Sequence, residues 1–228
     1  MTPTKFQNAA RSHTSLLAAA EKRALIGIAK RLPLRINSDH LTTLGFVALL
    51  AAGASYAMAK QYPAALLLVI PLLAVNWFGD SLDGTLARVR DCQRPRYGFY
   101  VDHILDATGM SVLMGGMALS GYISPIVAGL FLIAYLLLSI EIYLATYALG
   151  VFHLSYWNFG PTELRILLVI GNLFAFRRPS VTMAGHSFLL FDVGFAIGAC
   201  ALCLILLQAA FRHARELYMQ EPMHKANR

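Results

Sequence analysis

The stretch DSLDGTLARVRDCQRPRYGFYVDHILDATG, residues 80–109, interrupts an apolar chain with five acidic residues and four arginines. Charged residues make up only 14% of the 228-residue sequence, whereas hydrophobic residues make up 57%. Four of the five acids keep helical spacings, Asp80 with Asp83 and Asp102 with Asp106. Residues three or four apart share one face of an α-helix. The stretch therefore predicts two acidic helix faces joined by a short basic loop.

The rest of the chain is organised in blocks of low charge, and its mean hydropathy is +0.58. About 20 apolar residues are needed to cross a bilayer. Two of the six blocks are short, so we expect their helices to begin in the flanking polar residues, at 98–106 and 162–165. The sequence predicts an all-α integral membrane protein with about six transmembrane helices, over the apolar runs 41–59, 62–79, 107–121, 123–150, 166–176 and 188–211.

An amphipathic helix is predicted before the first apolar run and ends at Pro33. Such a helix is typical of a membrane interface, and a helix packed against the rest of the protein is the alternative. No internal repeat or linker is visible, so we expect a single domain, 1–228, with an N-terminal segment 1–36, a six-helix core 37–211 and a tail 212–228. The predicted apolar face of the helix contains Leu16, Leu17, Ala20, Ala24, Ile28 and Leu32.

The distribution of positive charge predicts the orientation in the membrane. Lysine and arginine accumulate in cytoplasmic loops. They are concentrated in the N-terminal segment, the loop within 80–109 and the tail, whereas Lys60 and the pair Arg177 and Arg178 break the pattern. The acidic stretch is therefore expected to face the cytoplasm. The net charge of +7 flanks membrane segments and accompanies no nucleic-acid motif, so anionic lipid headgroups are the expected partner.

The acidic stretch has the side chains of a metal site. Because the second and third helices are joined by a short loop, we expect them to be antiparallel neighbours whose carboxylates converge. Carboxylates packed this closely near a membrane repel one another unless cations neutralise them. Hard oxygen ligands without clustered cysteine or histidine favour magnesium, manganese or calcium over zinc. Magnesium suits the site best, because it commonly recruits the oxygens of substrate phosphates.

Small residues and an arginine lie between the two acidic pairs. Gly84 and Ala87 leave a shallow helical surface, and Arg88 follows at once. An arginine can hold phosphate through charge-assisted hydrogen bonds. Each part alone is common in proteins, and a Gly-x-x-Ala pair is usual in membrane-helix packing. Together with a metal they describe a site for a substrate that contains a diphosphate.

The combined spacing resembles the signature of the CDP-alcohol phosphotransferase family, D-x-x-D-G-x-x-A-R followed by G-x-x-x-D-x-x-x-D. All its defining residues are present, and the spacer of residues 89–97 is slightly longer than the family's usual one. Residues 37–45, NSDHLTTLG, look like the family's P-N/D-x-x-T element, with Ser38 in place of proline. The matching residues are Asp80, Asp83, Gly84, Ala87, Arg88, Gly98, Asp102 and Asp106.

The resemblance implies a role for each matching residue. The four aspartates would bind two divalent cations, Mg²⁺ or Mn²⁺, that grip the diphosphate of a CDP-linked donor. Gly84, Ala87 and Gly98 would leave room for the nucleotide, and Arg88 would lie close to phosphate. Asp106 would take the proton of the acceptor alcohol. CMP would leave, and a phosphodiester would form. A homodimer is also implied by the family.

The family has two branches, which differ in the substrate that carries the lipid. One transfers a phosphatidyl group from CDP-diacylglycerol to glycerol phosphate, serine, inositol or inositol phosphate. The other transfers phosphoethanolamine or phosphocholine to diacylglycerol. Two features favour the second: His103 follows Asp102, as in the D-H-x-x-D of that branch, and Thr162 with Glu163 looks like its Thr-Glu element. His103 and Glu163 are candidate catalytic residues, but a hydrogen-bonding histidine and a helix cap are equally compatible with the sequence.

A membrane cation carrier is a different class of function for acidic residues in apolar helices. A carrier needs polar groups through the middle of the membrane. The acidic stretch 80–109 instead lies at one membrane face, beside arginine and glycine. This placement favours the enzyme, and a non-catalytic scaffold would not require all four aspartates.

Overall fold

The computed structural model describes residues 18–150, 161–183 and 185–221 of the chain. Within these ranges it contains seven helices and one hairpin of two short antiparallel strands. The elements in chain order are α1 (Ala18–Arg31), α2 (Ser38–Ala59), α3 (Ala65–Val89), α4 (Pro95–Leu119), α5 (Pro125–Leu149), α6 (Pro161–Arg177), β1 (Ser180–Met183), β2 (His186–Leu189) and α7 (Leu190–Gln220).

Local sequence signals explain several helix ends. The side chain of Asn37 accepts a hydrogen bond from the backbone N–H of His40 at 2.9 Å, and the His40 ring accepts one from the Asn37 N–H at 3.3 Å. This reciprocal capping box satisfies donors that the start of α2 leaves unpaired. Ser124 caps α5 in front of Pro125, and Gly150, with a φ of +69°, ends it. A left-handed residue of this kind terminates many helices.

Four helices, α2, α3, α5 and α7, are long and apolar enough to cross a membrane. α4 and α6 complete a set of six helices after α1. They begin at Pro95 and Pro161, just before the polar segments 98–106 and 162–165 in which we expected them to begin. One face of α5 is exposed along its length, and residues spaced alternately three and four apart share such a face. Its exposed apolar side chains are Ile126, Leu130, Ile133, Leu137, Ile140 and Leu144.

Glycines let α2 pack closely against both α3 and α4. A Cβ built on Gly79 of α3 would lie 2.6 Å from the backbone nitrogen of Gly45, and one built on Gly116 of α4 would lie 1.9 Å from the carbonyl oxygen of Gly53. Small residues allow membrane helices this close an approach. The expectation that α3 and α4 would pack directly as neighbours was wrong, because each packs mainly against α2.

α1 packs against α3, with Leu25 and Ala29 buried in the contact. Ile28 and Leu32 of the predicted apolar face pack against the same cluster, but Ala24 is exposed. The face of α1 that contacts α3 therefore overlaps the predicted apolar face but does not coincide with it. Two further residues of that predicted face, Leu16 and Leu17, lie outside the described residues.

Arg90, in the loop after α3, holds the chain that follows α1. Its Nη2 donates hydrogen bonds to the carbonyl oxygens of Leu32 at 2.9 Å and Pro33 at 3.1 Å, and its Nη1 donates to that of Ile36 at 2.5 Å. These carbonyl groups lie in the irregular segment after α1, where no helix supplies them with hydrogen-bond donors. The α3–α4 loop is thereby tied to the segment between α1 and α2.

The last helix extends into the expected C-terminal tail. α7 continues to Gln220, so residues 212–220 of the expected tail are helical.

Two acids that the sequence places in apolar helices have clear partners. Asp192 accepts a hydrogen bond from the backbone N–H of Ser124 at 2.6 Å, and Glu141 of α5 meets the Nδ1 atom of His213 of α7 at 2.5 Å. These contacts join α7 to both ends of α5.

Candidate active site

The acidic faces of α3 and α4 meet beside α2. One carboxylate oxygen from each of Asp80, Asp102 and Asp106 lies within 4.8 Å of the other two. Asp102 and Asp106 come from successive turns of α4, and Asp80 comes from α3. The structure thus brings together acidic side chains from two helices.

These aspartates line a small open pocket between the three helices. α2 contributes mainly apolar residues to its wall, whereas α3 and α4 contribute the acids. All four aspartates of the sequence motif face this pocket. The lining residues are Thr42, Gly45, Phe46, Leu49, Asn76, Asp80, Asp83, Asp102, Leu105 and Asp106.

Asp83 is held differently from the other three aspartates. The hydroxyl of Thr42 donates a hydrogen bond to its Oδ2 at 2.5 Å, and the backbone N–H of Gly84 donates to its Oδ1. Thr42 is the threonine of the element at residues 37–45 that resembles P-N/D-x-x-T. That element is therefore connected to the acidic site through Asp83, although Ser38 replaces its proline.

Arg165 of α6 also reaches the acidic cluster. Its Nη2 donates a hydrogen bond to Oδ2 of Asp80 at 2.6 Å, and its Nε donates to Oδ1 of Asn76 at 2.8 Å. The Asn76 amide in turn donates to the carbonyl oxygen of Gly45 at 3.0 Å. One guanidinium group therefore fixes a carboxylate of the cluster and connects α6 to α3.

No sequence motif indicates a role for Arg165. A usable signal was nevertheless present, because Arg165 directly precedes the apolar run 166–176, and a charged residue at membrane depth is usually paired. An arginine near the beginning of α6 therefore requires an acidic partner, and Asp80 supplies it.

The predicted nucleotide-binding residues lie beside the pocket and are not among its lining residues. Arg88 donates from Nη2 to the Thr85 hydroxyl at 3.0 Å, and its Nη1 lies 3.4 Å from where a Cβ on Gly84 would be. Ala87 is partly buried, whereas Gly98 is exposed with no atom within 4 Å of a Cβ built on it. The space over Gly98 is open.

His103 lies against α5. Its Nδ1 is 2.6 Å from the carbonyl oxygen of Phe99, to which it donates when protonated at this nitrogen. Its ring centroid lies 4.2 Å from that of Phe99 and 4.8 Å from that of Tyr143. The residue next to Asp102 therefore packs among aromatic rings and does not line the acidic pocket.

Thr162 and Glu163 lie in the first turn of α6, which begins at Pro161. Thr162 therefore lies within the helix. Its hydroxyl donates a hydrogen bond to Glu21 of α1 at 3.1 Å. Glu163 is partly buried and lies two residues before Arg165, outside the lining of the acidic pocket.

A family model described as CDP-alcohol phosphatidyltransferase matches residues 36–209, well over half of the chain. The chain belongs to the CDP-alcohol phosphatidyltransferase family. It is therefore a membrane-bound transferase of substituted phosphate groups. The matched segment begins after α1 and contains α2 to α6 and most of α7.

A solved structure has the same fold as this family member. The crystal structure of Mycobacterium tuberculosis phosphatidylinositol phosphate synthase with CDP-DAG bound aligns with a TM-score of 0.61 and 22% sequence identity. The alignment covers 84% of this chain and 94% of the synthase chain. No curated protein gives a significant sequence match to the chain. The prediction of an all-α integral membrane protein is confirmed.

The acidic cluster of this CDP-alcohol phosphatidyltransferase fits a divalent metal ion. Its donors are carboxylate oxygens, which Mg²⁺ and Mn²⁺ prefer. Arg165 is the cation that bonds to Asp80, but one guanidinium cannot balance several carboxylates at this distance. Unbalanced carboxylates close together are unfavourable. The donor set and its excess negative charge therefore suit a metal.

Proposed function

We propose that this transferase joins a CDP-linked lipid to a small water-soluble alcohol, with release of CMP. The observation that carries the proposal is the convergence of Asp80, Asp102 and Asp106, whose carboxylate oxygens lie within 4.8 Å of one another. A diphosphate carries several negative charges and binds such a site only with cations between the two. Metal-bridged binding of a CDP group accounts for both the carboxylates and their position in a family member.

In this proposal the four aspartates hold two divalent cations, Mg²⁺ or Mn²⁺. When bound, the cations neutralise the donor diphosphate and stabilise the charge that develops during phosphoryl transfer. Arg88 binds a phosphate oxygen, and Gly84, Ala87 and Gly98 leave room for the nucleotide. Asp106 accepts the proton of the acceptor hydroxyl. The acceptor oxygen forms the new bond to phosphorus, and the bond from that phosphorus to the oxygen of CMP breaks.

Two observations support CDP-diacylglycerol as the donor. The solved structure with the same fold has CDP-DAG bound, and it is matched over 94% of its length. In addition, His103 packs against Phe99 and Tyr143, which leaves the acidic pocket without the histidine that favoured the other branch. Arg165 supplies positive charge beside Asp80, which favours an acceptor with its own negative charge, such as an alcohol phosphate.

Transfer of phosphoethanolamine or phosphocholine to diacylglycerol is the second candidate. Glu163 favours it, because this partly buried carboxylate lies in the first turn of α6, close in sequence to the Arg165 that contacts the cluster. A base at a helix start in the membrane interface is well placed for the hydroxyl of a lipid. In this candidate Glu163 takes the proton of the lipid hydroxyl.

A panel of substrates tests the proposal and separates the two candidates. Purified protein is incubated with CDP-diacylglycerol and glycerol phosphate, serine, inositol or inositol phosphate, and separately with CDP-ethanolamine or CDP-choline and diacylglycerol. We expect magnesium-dependent CMP release with the first donor, a phosphodiester product by mass spectrometry, and loss of activity in EDTA. Ion flux in proteoliposomes without CMP release from any donor would instead support a carrier.

We also propose that the acidic site faces the cytoplasm. Residues 1–228 form one domain in this proposal. Cys92 lies exposed in the α3–α4 loop and reports on this side of the membrane. In a variant lacking Cys200 and Cys203, we expect a membrane-impermeant maleimide to label Cys92 only after cells are permeabilised. Labelling of intact cells would reverse the orientation.

A further inference from the structure

Glu21 of α1 forms hydrogen bonds with both α3 and α6. Its Oε1 accepts from the indole Nε1 of Trp77 at 2.7 Å, from the hydroxyl of Thr162 at 3.1 Å and from that of Ser81 at 3.3 Å. Thr162 also lies 3.3 Å from Oε2. α1 ends before the family-matched residues 36–209 begin, so this carboxylate is an addition to the matched core.

The partners of Glu21 are next to the contact between Arg165 and Asp80. Ser81 directly follows Asp80 on α3, and Thr162 precedes Arg165 by three residues on α6. Residues three apart lie on the same side of a helix. The Glu21 carboxylate and the Arg165 guanidinium therefore form two adjacent polar connections between α3 and α6.

The position of Glu21 is itself fixed by packing. Leu25 and Ala29, one and two turns later on α1, are buried against α3. Arg90 binds the carbonyl oxygens of Leu32 and Pro33 at the far end of the helix. Hydrogen bonds to an ionised acceptor are stronger than those between neutral groups. α1 thus presents a well-placed anionic acceptor to the first turn of α6.

We propose that Glu21 is a positioning residue for the acceptor side of the active site. It holds the first turn of α6 against α3, and this sets the position of Glu163 and of the Arg165 group that contacts Asp80. The inference rests on the proposed function, because it assigns α6 to acceptor binding. The donor diphosphate is bound by α3 and α4, so loss of Glu21 affects use of the acceptor more than use of the donor.

Three variants test this role. Glu21→Ala removes the acceptor of all the hydrogen bonds, and Glu21→Gln keeps an uncharged oxygen in the same place. The matched control is Lys22→Ala, which changes an exposed neighbour on the same helix. We expect Glu21→Ala to lower kcat/KM for the acceptor about tenfold, the scale on which supporting residues act, with KM for the CDP donor within about twofold of wild type. Glu21→Gln recovers most of the loss, and Lys22→Ala has no effect.

The contact itself has a readout that does not depend on activity. Trp77 becomes the sole tryptophan in a Trp157→Phe background, because the chain contains two tryptophans. We expect Glu21→Ala to shift its emission maximum to shorter wavelength, since the indole loses a charged acceptor. A wild-type protein inactive on every donor would refute the proposed function, while the emission would still show whether the Glu21 contact exists.

Unchanged acceptor kinetics in Glu21→Ala, beside an active wild type, would overturn the inference. A lower thermal stability with unchanged kinetics, or an equal loss for donor and acceptor, would also overturn it. If Glu21→Ala does not fold, Thr162→Val takes its place, because it removes only the hydrogen bond to α6. We expect it to reproduce the loss in acceptor kcat/KM, and wild-type values would refute the role.

Discussion

Arg165 on α6 donates a hydrogen bond to Asp80 on α3 at 2.6 Å, although 85 residues separate them in the sequence. The side chains of this pair are 17% and 28% exposed, so water screens the contact only in part. The acidic cluster, whose carboxylates come from α3 and α4, is therefore bordered on one side by the positive charge of Arg165 from α6. Arg165 lies outside the sequence signature of the family, which covers residues 80–106.

Arg165→Lys tests whether the planar group is required. Lysine keeps the positive charge. Its single nitrogen cannot replace the planar guanidinium group, which contacts Asp80 through Nη2 and Asn76 through Nε. We expect kcat/KM to fall at least about tenfold in the CMP-release assay, the scale of losing a supporting contact. Arg177→Lys, an exposed change at the other end of α6, is the control and should match wild type. Wild-type rates in Arg165→Lys would mean that charge alone is sufficient.

Asp102→Asn tests the metal site. We expect turnover to fall more than about 100-fold, because changes outside the direct metal ligands already cost 10- to 100-fold. The variant should remain folded, and without metal its thermal stability should equal or exceed that of wild type, since one repelling charge is gone. Asp91→Asn is the matched control: it lies in the α3–α4 loop with a φ of 51°, which asparagine tolerates. Normal turnover in Asp102→Asn contradicts the assignment.

Glu163→Gln distinguishes the two candidate reactions. If diacylglycerol is the acceptor, we expect turnover to fall about 10²-fold or more, the usual contribution of a general base, with donor binding little changed. If a water-soluble alcohol is the acceptor, Asp106 is sufficient and the rate stays near wild type. The measurement is product formation by mass spectrometry with each acceptor. An unaffected rate with diacylglycerol would exclude Glu163 as its base.

Two adjacent glycines of α4 test the packing on α2. A Cβ on Gly116 would lie 1.9 Å from the Gly53 carbonyl oxygen, whereas one on Gly115 would have no neighbour within 4 Å. Overpacking commonly costs about 1–3 kcal/mol, and this contact is with rigid backbone. We therefore expect Gly116→Ala to destabilise the protein by roughly 3 kcal/mol in a denaturant titration. Gly115→Ala should be neutral, and equal stabilities would show that α2 and α4 can separate without cost.

The helices could be predicted from the sequence because their signals are local. Hydropathy located the six helices after α1, and the polar residues before Ala107 and Ile166 were correctly included in α4 and α6. The spacing of Asp80, Asp102 and Asp106 also predicted their convergence. The helix predictions depend on residues within a few turns of one another, and the convergence of the aspartates was inferred from two helices joined by a short loop.

The arrangement of the helices could not be predicted in the same way. α2 packs against α3 and α4 through contacts such as that of Gly53 with Gly116, and no local pattern identifies the partner of a glycine. The same reason applies to the hydrogen bond of Thr162. Its partner is Glu21, 141 residues away in the sequence. Only the folded chain brings such distant residues together.

The contacts of Arg90 have a consequence for synthesis of the chain. α1 leaves the ribosome before α3, and the arginine that binds the carbonyl oxygens of Leu32 and Pro33 follows 58 and 57 residues later, respectively. The α3 surface that covers Leu25 is also absent from a shorter nascent chain. Until α3 and Arg90 have been synthesised, α1 lacks the residues it packs against in the finished structure. Its apolar side can bind to the membrane surface during this time. Its amphipathic character thus serves the unfinished chain before it serves the finished enzyme.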